Sequence, residues 1–194
     1  MEIEKEILRI EIRKRLTVSE PETASVIRSK VMSLDCWGGA RTIFAYHPLP
    51  TELDLLPMLD VERGKDWIFP RVSGESLSLH LWSPGACWRK GAFGILEPDP
   101  MHWPEVGVEA IDVALIPGMA FDRNGKRLGR GRGFYDRLLA SPVFRALKVG
   151  ITTDRFLLDE IPIEAHDIPM DLVVTESGIV QYEGSRLDNG FERE

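Results

Sequence analysis

Apolar positions at the start of the chain recur every four or five residues, at Ile3, Ile7, Ile12 and Leu16, with Lys5, Arg9, Arg13 and Lys14 between them. That spacing predicts an amphipathic helix over residues 3–16. Ser19 and Glu22, ahead of Val26, Ile27 and Val31, predict a second helix opened by a capping box, in which each side chain satisfies a backbone donor at the helix start. The pattern then turns β-like. TIFAY (42–46), WIFPRV (67–72) and LSLHLW (77–82) read as strands, with a short helix between the first two; the clean alternation of LSLHLW predicts a half-exposed strand. Residues 83–108 are rich in Gly, Pro and Trp with little period, and read as a long loop region or as a strand pair that composition conceals.

The second half is more regular. DVALIP (112–117) reads as a buried strand, followed by a glycine-rich loop over 118–133 and a helix over 134–147 that Ser141 and Pro142 disturb. KVGITT (148–153) is a further strand. A proline-rich turn, IPIEAHDIPMD, leads to the short strands LVVT and IVQY, divided by Glu176, Ser177 and Gly178. Strands separated by helical segments predict an α/β fold, a layered sandwich around a mainly parallel sheet. With 194 residues, 43% of them apolar, the chain can bury one sizeable core. The expectation is a single domain over 1–181 and an acidic, disordered tail over 182–194.

The net charge of −7 repels nucleic acid and anionic membranes in bulk, so an anionic ligand requires a local cluster of cations. Cys36 and Cys87 form neither a CxxC pair nor a zinc-ligand spacing. The charged N-terminal stretch lacks the apolar centre of a signal peptide, and no apolar run approaches the ~18 residues of a membrane span. A soluble, cytoplasmic protein is expected.

The densest chemistry lies in GKRLGRGRGFYD, residues 125–136. Glycines at 129, 131 and 133 let backbone N–H groups approach an oxyanion, because no Cβ intervenes and positive φ is cheap. A helix beginning near Phe134 would add its N-terminal donors. Arg127, Arg130 and Arg132 could supply charge-assisted bonds of about 1.5–3 kcal/mol each. The loop is neither a Walker A motif nor a dinucleotide fingerprint. From spacing alone, a phosphate cradle, a flexible basic hairpin and an arginine–glycine segment for nucleic acid are all open, the last disfavoured by the acidic net charge.

The run IPGMAFDRNGKRLGRGRGFYDRLLA (116–140) resembles the signature of the 5-formyltetrahydrofolate cyclo-ligase family. Lys5, Leu8 and Arg9, Glu52 to Asp54, Gly94 to Pro98, and His166, Asp167 and Asp171 match further motifs of that family, extending the resemblance from Lys5 to about Thr175. The resemblance implies a three-layer α/β/α sandwich related to the sugar-phosphate isomerase and CoA-transferase group. It implies closure of 5-formyltetrahydrofolate to 5,10-methenyltetrahydrofolate with ATP and Mg²⁺. ATP would be held by Lys5, Arg9, Arg127, Leu128, Gly129, Arg130, Gly131, Arg132, Gly133, Phe134 and Tyr135. The folate would meet Glu52, Tyr46, Phe93, Arg130 and Tyr135, and the metal Asp136 and Asp167. His166 reads as a loop or supporting residue. Phe93 stands where some relatives carry Trp, and Phe134 replaces the first Tyr of a common Gly-Tyr-Tyr-Asp. The implied partners are small molecules only, with a monomer or weak homo-oligomer and no nucleic acid or membrane. A sugar-phosphate enzyme of similar fold and a non-catalytic nucleotide- or RNA-binding module are the competing readings.

Overall fold

The computed structural model describes residues 2–162, 164 and 167–182; His166 and the acidic tail from residue 183 lie outside the described residues, as does the side chain of Phe93. The first helix, α1, spans Glu2–Arg15. Its inward face differs from the expected stripe, for Ile3 and Ile7 are 76% and 53% exposed while Lys5 and Ile12 are buried. Lys5, Leu8, Ile12 and Leu16 follow a spacing of three or four, and the last three pack on Met119, Ala120, Leu128 and Ile161. A lysine can hold this inward position because the carboxylates of Asp167 and Glu164 meet its ammonium.

Helix α2 spans Pro21–Met32 and buries Ala24, Ile27 and Val31. The expected capping box does not form. Glu20 is the N-cap residue, without a side-chain bond, and the buried Ser19 Oγ has no partner. Pro21 at the first helical turn sets the entry instead, since its missing N–H costs nothing there.

The chain then forms β1 (Thr42–Phe44), α3 (Met58–Val61), β2 (Asp66–Ser73) and β3 (Ser76–Leu81). The conformationally ambiguous stretch 83–108 contains the antiparallel pair β4 (Trp88–Lys90) and β5 (Leu96–Pro98), then β6 (Glu105–Val106). After β7 (Val113–Pro117), the glycine-rich stretch begins as a hairpin, β8 (Ala120–Asp122) and β9 (Arg127–Leu128). Helix α4 is Phe134–Leu139, six residues rather than the expected fourteen, because Ser141 and Pro142 stop it. Strands β10 (Leu147–Ile151), β11 (Leu157–Leu158), β12 (Leu172–Val174) and β13 (Ile179–Gln181) complete the order.

Eight strands form one sheet in the order β13-β12-β10-β7-β1-β2-β3-β6. The inner run β12-β10-β7-β1-β2 is parallel throughout, and β13, β3 and β6 are antiparallel additions at its edges. Every residue of β7 and β10 is buried, as expected of strands covered on both faces. Leu115, Val149 and Val174 share one core with Ala24, Ile27 and Val31 of α2 and Met58 of α3. Ala114, Ile116 and Val173 share the other with Leu139 of α4. Helices therefore lie on both faces. Lys148, inside the all-buried β10, is paired at 2.8 Å with Asp171.

Strand β3 departs from expectation on its polar side. His80 is buried between Ser78 Oγ, 2.9 Å from Nε2, and the Trp103 carbonyl, 3.1 Å from Nδ1. The segment ahead of β6 brings the Trp103 carbonyl onto this side of β3, so the polar positions of LSLHLW are not all turned to solvent.

The strand order reverses between β1 and β7: the chain builds outward to β2 on one side and to β10 and β12 on the other. Open parallel sheets leave a crevice outside the carboxyl ends of the strands at such a point. A small sheet, β11-β8-β9, stands beside it and carries α1.

A Cβ at Gly150 would lie 2.6 Å from the buried ring of Phe121, so Gly150→Ala forces a shift between β10 and β8. Overpacking of this kind costs about 1–3 kcal/mol. A lower denaturation midpoint at unchanged m-value is expected, and an unchanged midpoint would show that Phe121 moves aside freely.

Candidate active site

Beyond the carboxyl end of β1 the chain runs through Tyr46 and His47, and beyond that of β7 through Gly118. A cavity of about 390 Å³ opens at this switch point. Tyr46, Glu52, Pro117, Gly118 and residues of the loop from Arg127 to Asp136 line it, together with an apolar wall from Pro70, Val72, Leu77, Ile95 and Leu96 and the carboxylate of Glu97. A second cavity, of about 190 Å³, shares Tyr46, Glu52, Pro117 and Gly118 and reaches Thr152 and Thr153 past the end of β10.

The loop owes its course to glycine at two positions. Gly131 and Gly133 have φ of 96° and 66°, where side chains are rarely tolerated. A Cβ at Gly131 would meet only the Arg9 guanidinium, at 3.6 Å, so the constraint there is the dihedral angle and not space. Because α4 is six residues long, it contributes a much smaller dipole than a full helix would. The charged side chains carry more of the site's field.

Those charges come paired. Arg127, buried, donates from Nη2 to Asp136 Oδ1 at 2.6 Å and from Nη1 to the Pro117 carbonyl at 3.4 Å. Arg130 donates to Glu52 Oε1 from Nη2 at 3.1 Å and Nε at 3.3 Å, and to Thr51 Oγ1 at 3.4 Å. Arg9 donates from Nε to the Gly129 carbonyl at 3.0 Å and from Nη1 to Glu6 at 3.0 Å, tying α1 to the loop. Lys5 is held by Asp167 and, at 3.0 Å, by Glu164. Among the described residues, Arg127 Nε is buried without a partner. An unsatisfied buried donor costs about 1–3 kcal/mol, and more for a charged group, so an oxyanion arriving beside it gains by satisfying it.

Tyr46 donates its hydroxyl to the Leu53 carbonyl at 2.9 Å. Burial pushes its phenol well above the usual range, reinforced by the Glu52 carboxylate. Tyr135 is raised by the same two causes, partly offset by Arg127, whose guanidinium sits 5.3 Å from its ring centre. Both therefore stay protonated at neutral pH and can donate.

Of the residues expected to bind ATP or folate, Tyr46, Glu52, Arg127, Gly129, Arg130, Arg132, Gly133, Phe134 and Tyr135 line the larger cavity. Arg9 reaches the same loop. Leu128 is fully buried in the core beneath α1, so only its backbone can serve a ligand. Asp136 lines the cavity, whereas Asp167 lies on Lys5; each carboxylate answers a different cation. Among the described residues, no group of three or more His, Cys, Asp or Glu side chains converges as a metal cage.

The sequence assigns no role to His47, Pro70, Val72 or Leu77, and places Glu97 in a family motif, Gly94 to Pro98, without a role of its own. Glu97 is buried, 4.0 Å from Arg71 and 3.4 Å from the Val72 N–H. Its signal was an acid enclosed by Ile95, Leu96 and Pro98. His47 packs edge-on to Trp88 at 4.8 Å, and burial lowers its imidazole below the ordinary value. Nothing in the sequence brings those rings together.

The model of the 5-formyltetrahydrofolate cyclo-ligase family matches residues 2–176. The chain belongs to that family. A 5-formyltetrahydrofolate cyclo-ligase of Mycolicibacterium smegmatis is 38% identical over 148 residues, covering 72% of this chain and 76% of its own. The Escherichia coli cyclo-ligase is 37% identical over 149 residues, covering 74% and 82%. The solution structure of the Aquifex aeolicus 5,10-methenyltetrahydrofolate synthetase superposes with a TM-score of 0.80 at 36% identity, covering 98% of this chain and 96% of that one. The protein is an enzyme of the cyclo-ligase family, with its large, mainly parallel sheet. No helix among the described residues is long and apolar enough to cross a membrane.

Asp136→Asn leaves the buried Arg127 without its counter-ion and should destabilise the fold by about 3 kcal/mol, as removal of one partner of a buried pair does. Denaturant unfolding measures this, and a change under about 0.5 kcal/mol, the level of an ordinary surface substitution, would mean that Arg127 does not depend on the pair.

Proposed function

We propose that this enzyme closes 5-formyltetrahydrofolate to 5,10-methenyltetrahydrofolate, consuming ATP in a Mg²⁺-dependent reaction that releases ADP and phosphate. The observation that carries the ATP requirement is Arg127, whose Nε is buried without a partner beside the glycine loop, at the switch-point cavity. The family match carries the folate.

In this reading the formyl oxygen attacks the γ-phosphorus, and the bond to the bridging oxygen breaks as ADP leaves. N10 adds to the carbon of the resulting phosphorylated iminium and gives up its proton to solvent, and cleavage of the C–O bond of the imidazolidine so formed releases phosphate. Phosphoryl transfer of this kind needs positioning and charge stabilisation more than covalent help. Arg127, Arg130 and Arg132, with the N–H groups from Gly129 to Gly133, would hold the polyphosphate, and Lys5 and Arg9 would flank it from α1. Glu52 would accept from the amino-pyrimidinone edge of the pterin. Tyr46, Phe93 and Tyr135 would offer flat surfaces to its rings, and the apolar wall would exclude water.

Asp136 and Asp167 are the residues proposed for Mg²⁺. Their hard oxygen donors fit an ion that takes one or two carboxylates and completes its shell with phosphate oxygens and water. When bound, the ion neutralises charge on the phosphates. The same reading relates the fold to the sugar-phosphate isomerase and CoA-transferase group and takes the enzyme as cytoplasmic and as a monomer or weak homo-oligomer. A phosphomonoester could also use the loop, but the broad apolar wall suits a larger aromatic ligand.

Incubation with 5-formyltetrahydrofolate should produce the near-ultraviolet absorbance of the methenyl product only when ATP and Mg²⁺ are both present, with one phosphate released per ring. Conversion without ATP overturns the reading. Glu52→Gln should raise the folate KM about 30-fold, the equivalent of ~2 kcal/mol for a lost charged hydrogen bond. An unchanged KM would mean that Glu52 does not meet the folate.

A further inference from the structure

In the proposed function Glu52 meets the pterin and Arg130 the polyphosphate, yet here they hold each other. Both donors that Arg130 directs at Glu52 converge on one oxygen, Oε1, at 3.1 and 3.3 Å. The other oxygen, Oε2, accepts the Leu49 N–H at 3.0 Å. The carboxylate is 14% exposed and fixed by its own turn, whereas the Arg130 side chain is 42% exposed and bonds side chains of that turn, Glu52 and Thr51. Glu52 also stands in the wall between the two cavities, while Arg130 lines the larger one alone.

We infer that this ion pair is a latch between the two substrate sites: a ligand that donates to the Glu52 carboxylate releases Arg130 to the polyphosphate. The inference rests on the proposed function for the identity of the two ligands. A bifurcated contact on one oxygen is the bond most easily given up when a planar N–H pair approaches the same carboxylate. Once released, the guanidinium lies in the cavity beside Gly129 and Gly133, where phosphate is its nearest alternative partner. Each ligand then favours the other by equal factors, as linkage requires. A half-exposed pair sets a modest scale, a coupling of about fivefold.

The test is calorimetric binding of a non-hydrolysable ATP analogue with Mg²⁺, with and without saturating 5-formyltetrahydrofolate. In the wild type the folate should tighten analogue binding about fivefold. Glu52→Gln should bind the analogue more tightly than the wild type without folate, because Arg130 is already released; a merely structural role would weaken it. Glu97→Gln is the control, since it removes a carboxylate from the same cavity without a bond to Arg130. If Glu97→Gln tightens binding equally, bulk charge explains the effect and the latch is overturned. Arg130→Gln should bind both ligands with the coupling gone, which keeps the test open should Glu52→Gln fail to fold. Analogue binding that is indifferent to folate in the wild type overturns the latch and leaves the cyclo-ligase reading intact. No analogue binding by the wild type at any concentration overturns both.

Discussion

An anion site in a chain of net charge −7 must keep its cations together without a ligand to hold them. Here carboxylates do so. Asp136 neutralises Arg127, Glu52 neutralises Arg130, Glu6 neutralises Arg9, and Asp167 with Glu164 neutralises Lys5. The pairs fix the geometry of the loop and limit repulsion among positive groups brought close together. Under the proposed function, a phosphate would therefore bind by exchange of partners and not by filling a bare positive hole. Arg127 Nε is the exception, because it has nothing to exchange.

The fold supplies the place for these pairs. Reversal of strand order between β1 and β7 opens the crevice, and the β8–β9 hairpin delivers Arg127 to its floor. Helix α1 belongs to the site as much as to the core: Ile12 seats it on the small sheet while Arg9 bonds the loop carbonyl and Lys5 reaches the turn before β12. Three segments far apart in sequence, near residues 5–9, 127–136 and 164–167, are joined by these polar contacts.

Much of this was legible beforehand. The strand DVALIP announced itself by its apolar run from Val113 to Pro117, and the glycine–arginine loop by its composition. Local rules failed where tertiary partners intervened. Ile3 and Ile7 look like a buried stripe until Lys5 finds Asp167 and Glu164, and only the distant turn decides which face turns inward. Ser19 and Glu22 satisfy the pattern of a capping box, but Pro21 and the backbone bond from Ser19 to Pro50 set the chain's entry to α2. At the site, family motifs named nearly all the loop residues that line the cavity. They could not show that Glu52 faces Arg130 or that Asp136 and Asp167 sit on different cations, since pairing across 78 residues leaves no local trace.

On the proposed function, the paired cations exchange carboxylates for phosphate, and Arg127 Nε, which no described residue satisfies, takes a phosphate oxygen directly. A crystal structure of the ternary complex with a non-hydrolysable ATP analogue, Mg²⁺ and 5-formyltetrahydrofolate tests it most directly. The account predicts a phosphate oxygen within hydrogen-bond reach of Arg127 Nε, with Arg130 turned from Glu52 toward the phosphates. Phosphates bound elsewhere, with Arg127 Nε still unpartnered and the Arg130–Glu52 pair intact, would contradict it.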